Sequence, residues 1–585
     1  MKISPPPNRR FSAVFVALSV LGAVTVFGTT ASAAGAAAQS TAMKFTGHAA
    51  PLVTILSHGN KLPSGFQPTD AFLACSGNTP LLPTGPCPLH PPRDSGSPFG
   101  PASLVPNSAA STFTGNAPTL GSNFLGITDL SQRVSTGSHF TPPDQGLCVG
   151  PAGPLEASGL NLGATPVDAT VEFEMTNDGW AVFDASGNTL AAGSNANLFS
   201  DGNSTGDPEC TYDSATGTYF FTEIGAPNNA YYTTNLAEMN SGGYAAYSLD
   251  SSMGGGYCFP DFPHQGSDNH GLYITVNEFC GSNQDYAGTT IFAISKDQIV
   301  AHDASPNAVS FALGSQYFTM RPADGPSGTE YLLASEQNAP TQSALDMAWV
   351  THDSNLATGG PVTMHIRSIP SEAYSEPVAA QSTGDDSTCV FNFGPWCSVP
   401  EATLDPIDMR LEQVQNVNGQ LFTSLSTSMT VGIDPTVVNG GAWFQVDTAK
   451  MKVVKQGYVG AAGTYLLDPS FVQSKGPDKF GRHRHFVMAF SMTSPTLNPS
   501  TGYVTSTNSG TTFSSIVTTG AGTGPHVSFS TFYPNYDRRR WGDYSAIAID
   551  PATHNVWSAD EFIPGGADGA DQVDNWGTEV WQLSK

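Results

Sequence analysis

A turn followed by an aromatic-rich alternating strand recurs along this chain at long intervals. Residues 212–224 read YDSATGTYFFTEI and residues 267–279 read SDNHGLYITVNEF, and the turn contains an aspartate in both. Asp213, Asp268 and a third turn aspartate, Asp324, are spaced by 55 and 56 residues. In the second segment successive side chains alternate between two faces, as they do in a β-strand. A repeat of this length, with several strands in each unit, restricts the fold to a series of similar sheets.

Strand-like segments continue to the end of the chain, and long helical patterns are missing. We therefore predict an all-β fold, a single β-propeller with seven blades, although six to eight blades are compatible with the length. A pair of β-sandwiches or a parallel β-helix is the competing architecture. The alternating residues 578–583 are expected to close the ring by completing the first blade, with Trp581 at the closure.

The first part of the chain differs in composition from the rest. Residues 1–33 combine basic residues, an apolar run and a small-residue cleavage pattern, which predicts a secretory signal peptide. Residues 34–115 are rich in Pro, Gly and Ser, which is typical of a partly disordered leader. We expect an added strand in the apolar residues 51–56 and the propeller in residues 116–585. The mature protein is predicted to be secreted, without insertion into a membrane.

The net charge and the cysteine content restrict the partners and the metal sites that this chain can have. The formal net charge is −27, which makes nucleic acid an unsuitable partner. Eight cysteines in an exported chain indicate disulfides, and none forms a CxxC pair suited to zinc. Pairing neighbours in sequence gives the simplest of the 105 connectivities: Cys75 with Cys87, Cys148 with Cys210, Cys258 with Cys280, and Cys389 with Cys397.

Four segments carry a resemblance to known proteins. They read PPDQGLCVGP (142–151), GDPECTYD (206–213), FPDFPHQGSDNHGLYITVNEF (259–279) and RWGDYSAIAIDP (540–551). In this order they resemble a family of exported bacterial propeller-like proteins without an assigned activity. Residues 506–513 distantly resemble the Asp-box of sialidase-like propellers, with Asn508 where that box has Asp. The resemblance implies a propeller-like fold and an extracellular location, and it implies no reaction.

Each of these four segments contains an aspartate beside Pro, Gly or an aromatic residue: Asp144, Asp207, Asp261 and Asp543. If the blades are equivalent, these side chains converge on one face or on the central channel. Converging carboxylates repel one another unless a cation lies between them, and calcium is the cation we expect in an acidic, exported protein. The alternative is that each aspartate caps its own turn through backbone N–H groups.

These features predict a secreted, non-catalytic propeller that binds a glycan or an extracellular protein on its loop face. Aromatic residues in the loops are candidates for stacking on sugar rings: Trp180, Trp396, Tyr533 and Trp541, together with Tyr257. The alternative function is a sialidase-like glycoside hydrolase. That enzyme requires three arginines around a substrate carboxylate, for which Arg321, Arg410 and Arg540 are the candidates. A structural component of the cell envelope is the third hypothesis.

Overall fold

The computed structural model describes residues 42–49, 52–56, 120–136, 140–200, 206–228, 231–250, 258–281, 285–384, 402–474, 486–506, 512–527, 540–565 and 575–584. Contacts within the chain divide it between Gln39 and Ser40, and every described residue belongs to the second unit. The predicted signal peptide and most of the predicted leader lie outside these residues. None of the helices described is long and apolar enough to span a membrane.

Within the described ranges, the strands form seven antiparallel meanders of four strands each. Meander 1 contains β5 (Gly146–Pro151), β6 (Thr170–Met175), β7 (Gly179–Asp184) and β8 (Thr189–Ser194). Meander 2 contains β9 (Glu209–Asp213), β10 (Thr218–Asn228), β11 (Tyr231–Asn240) and β12 (Gly243–Asp250). Meander 3 contains β13 (Cys258–Ser267), β14 (Gly271–Cys280), β15 (Asp285–Ser295) and β16 (Ala308–Ala312).

Meanders 4 to 7 follow the same plan. Meander 4 contains β17 (Arg321–Asp324), β18 (Tyr331–Ser335), β19 (Thr341–Thr351) and β20 (Thr363–Ser375). Meander 5 contains β23 (Val414–Val417), β24 (Gln420–Thr430), β25 (Val437–Asp447) and β26 (Lys452–Val459). Meander 6 contains β27 (Tyr465–Gln473), β28 (Phe486–Ser494), β29 (Leu497–Ser506) and β30 (Val517–Thr518). Meander 7 contains β31 (Ala546–Ile549), β32 (Val556–Phe562), β33 (Gly577–Leu583) and the amino-terminal β4 (Leu120–Thr128).

The remaining elements are short. Three strands precede the meanders, namely β1 (Met43–Thr46), β2 (His48–Ala49) and β3 (Leu52–Leu56), and β21 (Ala380–Gln381) pairs with β22 (Thr403–Leu404). The helices are α1 (Asp129–Thr136), α2 (Ala152–Ala157), α3 (Asn195–Phe199), α4 (Lys296–Val300) and a 3-10 turn (Asp353–Thr358).

The first strands of the meanders contact one another in cyclic order. β5 lies against β9, β9 against β13, and so on through β17, β23, β27 and β31, which lies against β5 again. β17 and β23 pair in parallel, with Ala323 opposite Val414, so neighbouring first strands run in the same direction there. This arrangement is all-β, as predicted, and is consistent with a β-propeller.

The two ends of the domain meet in meander 7. β33 lies between β32 and β4, and Trp581 is opposite Asn123. Trp581 is fully buried, and its Nε1 donates to Asp560 Oδ2 at 3.0 Å. Trp581 lies at the closure, as expected. The prediction had the carboxyl-terminal strand completing the first blade, whereas the strand that completes the last sheet is the amino-terminal β4. The carboxyl-terminal residues supply three strands of the last sheet, which leaves the outer edge of β33 to be covered by β4.

The three leading strands pair with the outer edges of consecutive meanders. β1 pairs with β20, β2 with β16 and β3 with β12. The strand expected over residues 51–56 therefore corresponds to β3. Because each of these edges would otherwise present unpaired N–H and C=O groups, the added strands satisfy hydrogen bonds that the meanders leave open.

The core lies between neighbouring meanders, since both faces of each sheet are covered. On β14, Leu272 and Ile274 pack with Phe220 of meander 2, whereas Tyr273 packs with Ala348 of meander 4.

Two of the predicted disulfides are present, and both connect strands. Cys148–Cys210 joins the first strands of meanders 1 and 2, and Cys258–Cys280 joins β13 to β14. The other two predicted pairs fall outside the described residues.

Candidate functional site

Three first strands follow a turn that ends in a buried aspartate. Asp144 precedes β5, Asp207 precedes β9 and Asp543 precedes β31, and all three are at most 2% exposed. Asp144 and Asp207 have φ values of 44° and 55°, a left-handed conformation that Asp adopts more readily than most residues. We call the end of the ring defined by these three aspartates and by Phe262 the entry mouth.

The carboxylates of the three aspartates lie together at the entry mouth. One oxygen from each lies within 4.8 Å of the others. Asn177, in the turn between β6 and β7, connects two of them, because its Nδ2 donates to Asp144 Oδ2 at 2.7 Å and its Oδ1 accepts from the Asp207 N–H at 2.6 Å. The Asp543 N–H donates to Asp144 Oδ1 at 2.8 Å. The structure thus brings together three of the four aspartates expected to converge.

Asp261, the fourth predicted member, is not part of this group. The pairing of β13 with β14 shifts register between Asp261 and His264. In this meander the residue in the left-handed conformation is Phe262, with φ 57°. The extra residue of the bulge therefore moves Asp261 out of the position that Asp144 and Asp207 occupy. Asp261 is buried, and it is among the carboxylates that raise the pKa of Arg410 against the effect of burial, after Asp408.

Two buried arginines contact the ring of Phe262 at the entry mouth. The Cζ atoms of Arg321 and Arg410 are 5.1 and 4.4 Å from the centre of the Phe262 ring. Arg321 Nη1 lies 2.7 Å from Glu209 Oε1, and Arg410 contacts both oxygens of Asp408 at 3.0 and 2.6 Å. The arginine side chains are only 4% and 2% exposed. Both guanidinium groups are therefore neutralised inside the protein.

The third arginine candidate, Arg540, lies at the rim of the entry mouth. Its Nη2 is 3.4 Å from Asp543 Oδ1 and 4.0 Å from Asp144 Oδ2, and its side chain is 21% exposed. Arg540 therefore contacts two of the three aspartates, Asp144 and Asp543, and it is more accessible than Arg321 and Arg410.

Glu209 connects the arginines to an imidazole. Its Oε1 contacts His264 Nδ1 as well as Arg321, and its Oε2 accepts from the Gln265 N–H at 2.7 Å. Burial lowers the pKa of His264 to about 3, with a further contribution from Arg321. Burial raises the pKa of Glu209, but His264, Arg321 and the Gln265 N–H reverse that effect, so its pKa is lowered. At neutral pH the group consists of an ionised Glu209, a neutral His264 and a charged Arg321.

The space among these side chains is small. A cavity of about 50 Å³ is lined by Gln145, Glu209, Arg321, Glu412 and Tyr544, among others. Binding pockets for organic ligands usually measure about 300–1,000 Å³. Within the described residues, this cavity has room for water but not for a sugar ring.

The aromatic residues expected to stack on a sugar are placed differently from the prediction. Trp180 is 6% exposed, stacks on Phe173 and donates from Nε1 to the Ser194 carbonyl. Trp541 is 1% exposed and packs edge-on against His526. Because the rings of both tryptophans are covered by protein, that part of the prediction is wrong. Trp396, Tyr533 and Tyr257 lie outside the described residues.

An accessible aromatic pair lies elsewhere, on meander 4. Among the tryptophans that the structure describes, Trp349 alone is not fully buried. It is opposite His365 in the pairing of β19 with β20, and the two rings stack with centroids 5.1 Å apart. Burial lowers the pKa of His365, as does Lys44. The sequence shows an alternating strand at residues 346–352, but alternation does not indicate which face is covered by a neighbour, so the pair was not predicted.

Distant similarities to known proteins are found among solved structures. No protein-family model matches the chain, and no curated protein does. Similar solved structures include Trypanosoma rangeli sialidase in complex with the inhibitor DANA, at 10% identity and a TM-score of 0.31, covering 64% of this chain and 54% of that one. Penicillium chrysogenum α-L-arabinanase complexed with arabinobiose is similar at 9% identity and a TM-score of 0.30, covering 64% of this chain and 92% of that one.

The endosialidase of phage phi92 is similar at 9% identity and a TM-score of 0.26, covering 63% of this chain and 65% of that one. The chain spans about half the length of the T. rangeli sialidase that it matches.

Proposed function

We propose that this protein is a secreted, seven-bladed β-propeller that binds a glycan or an extracellular protein on the loop face around its entry mouth, without hydrolysing it. The observation that carries the proposal is the internal pairing of Arg321 with Glu209 and of Arg410 with Asp408. A buried arginine that already shares a carboxylate within the protein is poorly placed to bind the carboxylate of a substrate. The small volume of the cavity beside them, about 50 Å³, supports the same conclusion.

We infer the number of blades from the number of meanders. The proposal of seven blades is supported by seven groups of four strands, with first strands that contact one another in a closed cycle. The extracellular location is supported by the two disulfides, which are rare in reducing compartments.

We further propose that Asp144, Asp207 and Asp543 hold a calcium ion. Calcium is bound by carboxylate oxygens at about 2.3–2.6 Å, so two of its ligand atoms lie at most about 5 Å apart. The spacing of the aspartate oxygens, within 4.8 Å, fits that requirement. The residues would tie the entry turns of meanders 1, 2 and 7 together, and Arg540 would move away from the carboxylates it contacts. The opposing explanation is that hydrogen bonds and Arg540 satisfy these side chains without a metal.

Trp349 and His365 are the described residues best suited to contact a sugar ring. The partly exposed indole of Trp349 offers apolar surface to the C–H side of a sugar, while the imidazole of His365 offers a hydrogen bond. This would be a second contact surface, separate from the entry mouth.

A sialidase-like glycoside hydrolase is the second candidate, because Arg321, Arg410 and Arg540 all lie near the entry mouth. A glycan array probed with and without a chelator tests both functions. We expect retention of some glycans, lost with chelator and in Asp207→Asn but kept in the control Asp285→Asn, whose carboxylate is exposed. Release of free sugar from any arrayed glycan, abolished in Arg410→Met, would replace the binding function with the hydrolase.

A further inference from the structure

A row of four side chains crosses meander 4 on one face. Tyr331 of β18 lies opposite Trp349 of β19, and Trp349 lies opposite His365 of β20. His365 in turn lies opposite Lys44 of the leading strand β1. Side chains directly opposite one another in an antiparallel sheet point to the same face, with Cβ atoms about 4.5–5.5 Å apart. We call Tyr331, Trp349, His365 and Lys44 the meander 4 row.

The meander 4 row is in contact with solvent. Lys44 is exposed, and Tyr331, Trp349 and His365 are each partly exposed. By contrast Met347, two residues before Trp349 on the same face, is fully buried. The stack of Trp349 on His365, with ring planes 16° apart, holds the two rings in a fixed arrangement. A ligand therefore meets a preformed aromatic surface with a lysine at one end of the row.

Basic side chains surround the His365 end of the row. Arg367 follows His365 by two residues on β20, so both point to one face. The Nε of Arg367 has no hydrogen-bond acceptor within the described residues. Burial lowers the pKa of His365, and Lys44 and His352 lower it further, as nearby positive charge does. This part of the surface is therefore basic in a chain whose formal net charge is −27.

We propose that the meander 4 row binds an acidic oligosaccharide, with a sugar ring against Trp349 and an anionic group at Lys44 and Arg367. This inference rests on the proposed glycan binding and names the class of glycan for the second contact surface. Aromatic side chains supply apolar area for sugar C–H groups, and lysine and arginine donate to anionic oxygens. Because neighbouring strands lie about 4.8 Å apart, the row is about 14 Å long, which suits an oligosaccharide better than a single sugar.

Calorimetric titration of the full chain with matched trisaccharides tests this inference. Trigalacturonate is compared with its methyl ester, and sulfated galactotriose with galactotriose, so that each pair shares its rings and differs in charge. At 0.1 M salt, charges more than about 10 Å away are largely screened, so the row outweighs the net charge of the chain. We expect the acidic member of at least one pair to bind about fivefold more tightly, as for an exposed ion pair. The pair that shows this preference identifies the anionic group as a carboxylate or a sulfate.

The other outcomes of the titrations contradict the inference in distinguishable ways. Equal affinity within both pairs would overturn it and leave glycan binding in place. No binding of any of the four trisaccharides would also overturn it, while the glycan array decides separately whether the protein binds a glycan. Triglutamate that binds as tightly as trigalacturonate would overturn the assignment to a sugar, because charge alone would then be recognised.

Variants locate the site. Lys44→Gln should reduce the fivefold preference to about twofold or less and leave the neutral trisaccharide unaffected, because an exposed side chain changes only its charge. The matched control is Lys455→Gln, which should keep the preference. Lys455 is also exposed, but it lies opposite Gln445, and Trp443 on that face of meander 5 packs with meander 6.

Trp349→Ala should weaken the binding of both members of a pair. A fivefold preference that survives in Lys44→Gln would place the acidic sugar elsewhere and overturn the inference. If Trp349→Ala does not fold, the comparison of Lys44→Gln with Lys455→Gln still decides the question, since both lysines are exposed.

Discussion

The two ends of the first strands differ in volume and in the groups that line them. At the entry mouth Arg321 and Arg410 each contact a carboxylate of the protein itself, and the remaining space is about 50 Å³. The cavity at the opposite end, the exit cavity, is lined by Asp213, Asp268 and Asp324, of which Asp213 contacts Lys296, and its space is about 220 Å³. Charges paired inside the protein are costly to separate, so the buried pairs of the entry mouth are the part of the molecule most sensitive to the loss of one partner.

The largest loss of stability is expected when the buried ion pair between Arg321 and Glu209 at the entry mouth is broken. Arg321→Met leaves Glu209 buried without its guanidinium partner, which should lower the free energy of unfolding by about 3–5 kcal/mol. Urea denaturation measures this loss. Lys450→Met is the matched control, because that lysine is 61% exposed in its pair with Asp447 and should cost at most about 1 kcal/mol. Equal losses in the two variants would mean that the entry-mouth pair does not hold the meanders together.

The two disulfides lie in different places, because one lines the exit cavity and the other joins the start of β13 to the end of β14. Cys148–Cys210 closes a loop of 62 residues and Cys258–Cys280 one of 22. Chain entropy predicts losses of about 4 and about 3 kcal/mol when each pair is replaced by alanine. Denaturant unfolding of the two double variants measures both. A larger loss for the shorter loop would contradict the dependence on loop length.

The pH dependence of stability should reveal the buried carboxyl group of the exit cavity. Burial raises the pKa of Asp268 to about 7, whereas an aspartate in an unfolded chain has a pKa of about 3.9. Between these values the folded state keeps a proton that the unfolded state has lost, so stability falls as the pH rises from about 4 to about 7. The loss is on the order of 4 kcal/mol.

Asp268→Asn should remove this part of the pH dependence, since an amide does not titrate and still offers an oxygen to the two backbone N–H groups. Urea midpoints at pH 5 and pH 8 measure the difference. The control, Asp285→Asn, should keep the native dependence. Identical slopes in the native chain and in Asp268→Asn would show that another group is responsible.

The smallest expected effect is that of calcium at the entry mouth. At a calcium concentration ten times the Kd, stability should rise by about 1.4 kcal/mol. Differential scanning calorimetry with calcium and with a chelator measures this gain, which should disappear in Asp207→Asn and persist in Asp285→Asn. A gain that persists in Asp207→Asn would place any bound calcium at other residues.

The sequence predicts the repeated parts of this molecule well. Alternation and turn aspartates indicate the strands, and proximity in sequence indicates the disulfides Cys148–Cys210 and Cys258–Cys280. The same repetition places Asp144 and Asp207 in equivalent turns, which is why their convergence was predictable.

What the sequence does not predict depends on contacts between distant residues. Glu209 and Arg321 are separated by 112 positions, and no local pattern connects them. Alternation does not indicate that both faces of a blade are covered, so Trp180 looked available to a ligand but is buried. The bulge after Asp261 has no evident sequence signal, and it removes this residue from the group of aspartates.

We propose that a ligand bound around the entry mouth is not hydrolysed there. The most direct measurement incubates the calcium-loaded chain with the glycans it retains on an array and follows released sugar by mass spectrometry in the same samples. Each retained glycan is expected to be recovered intact, both with the native protein and with Arg410→Met. Time-dependent release of sugar by the native chain that is lost in Arg410→Met would contradict it.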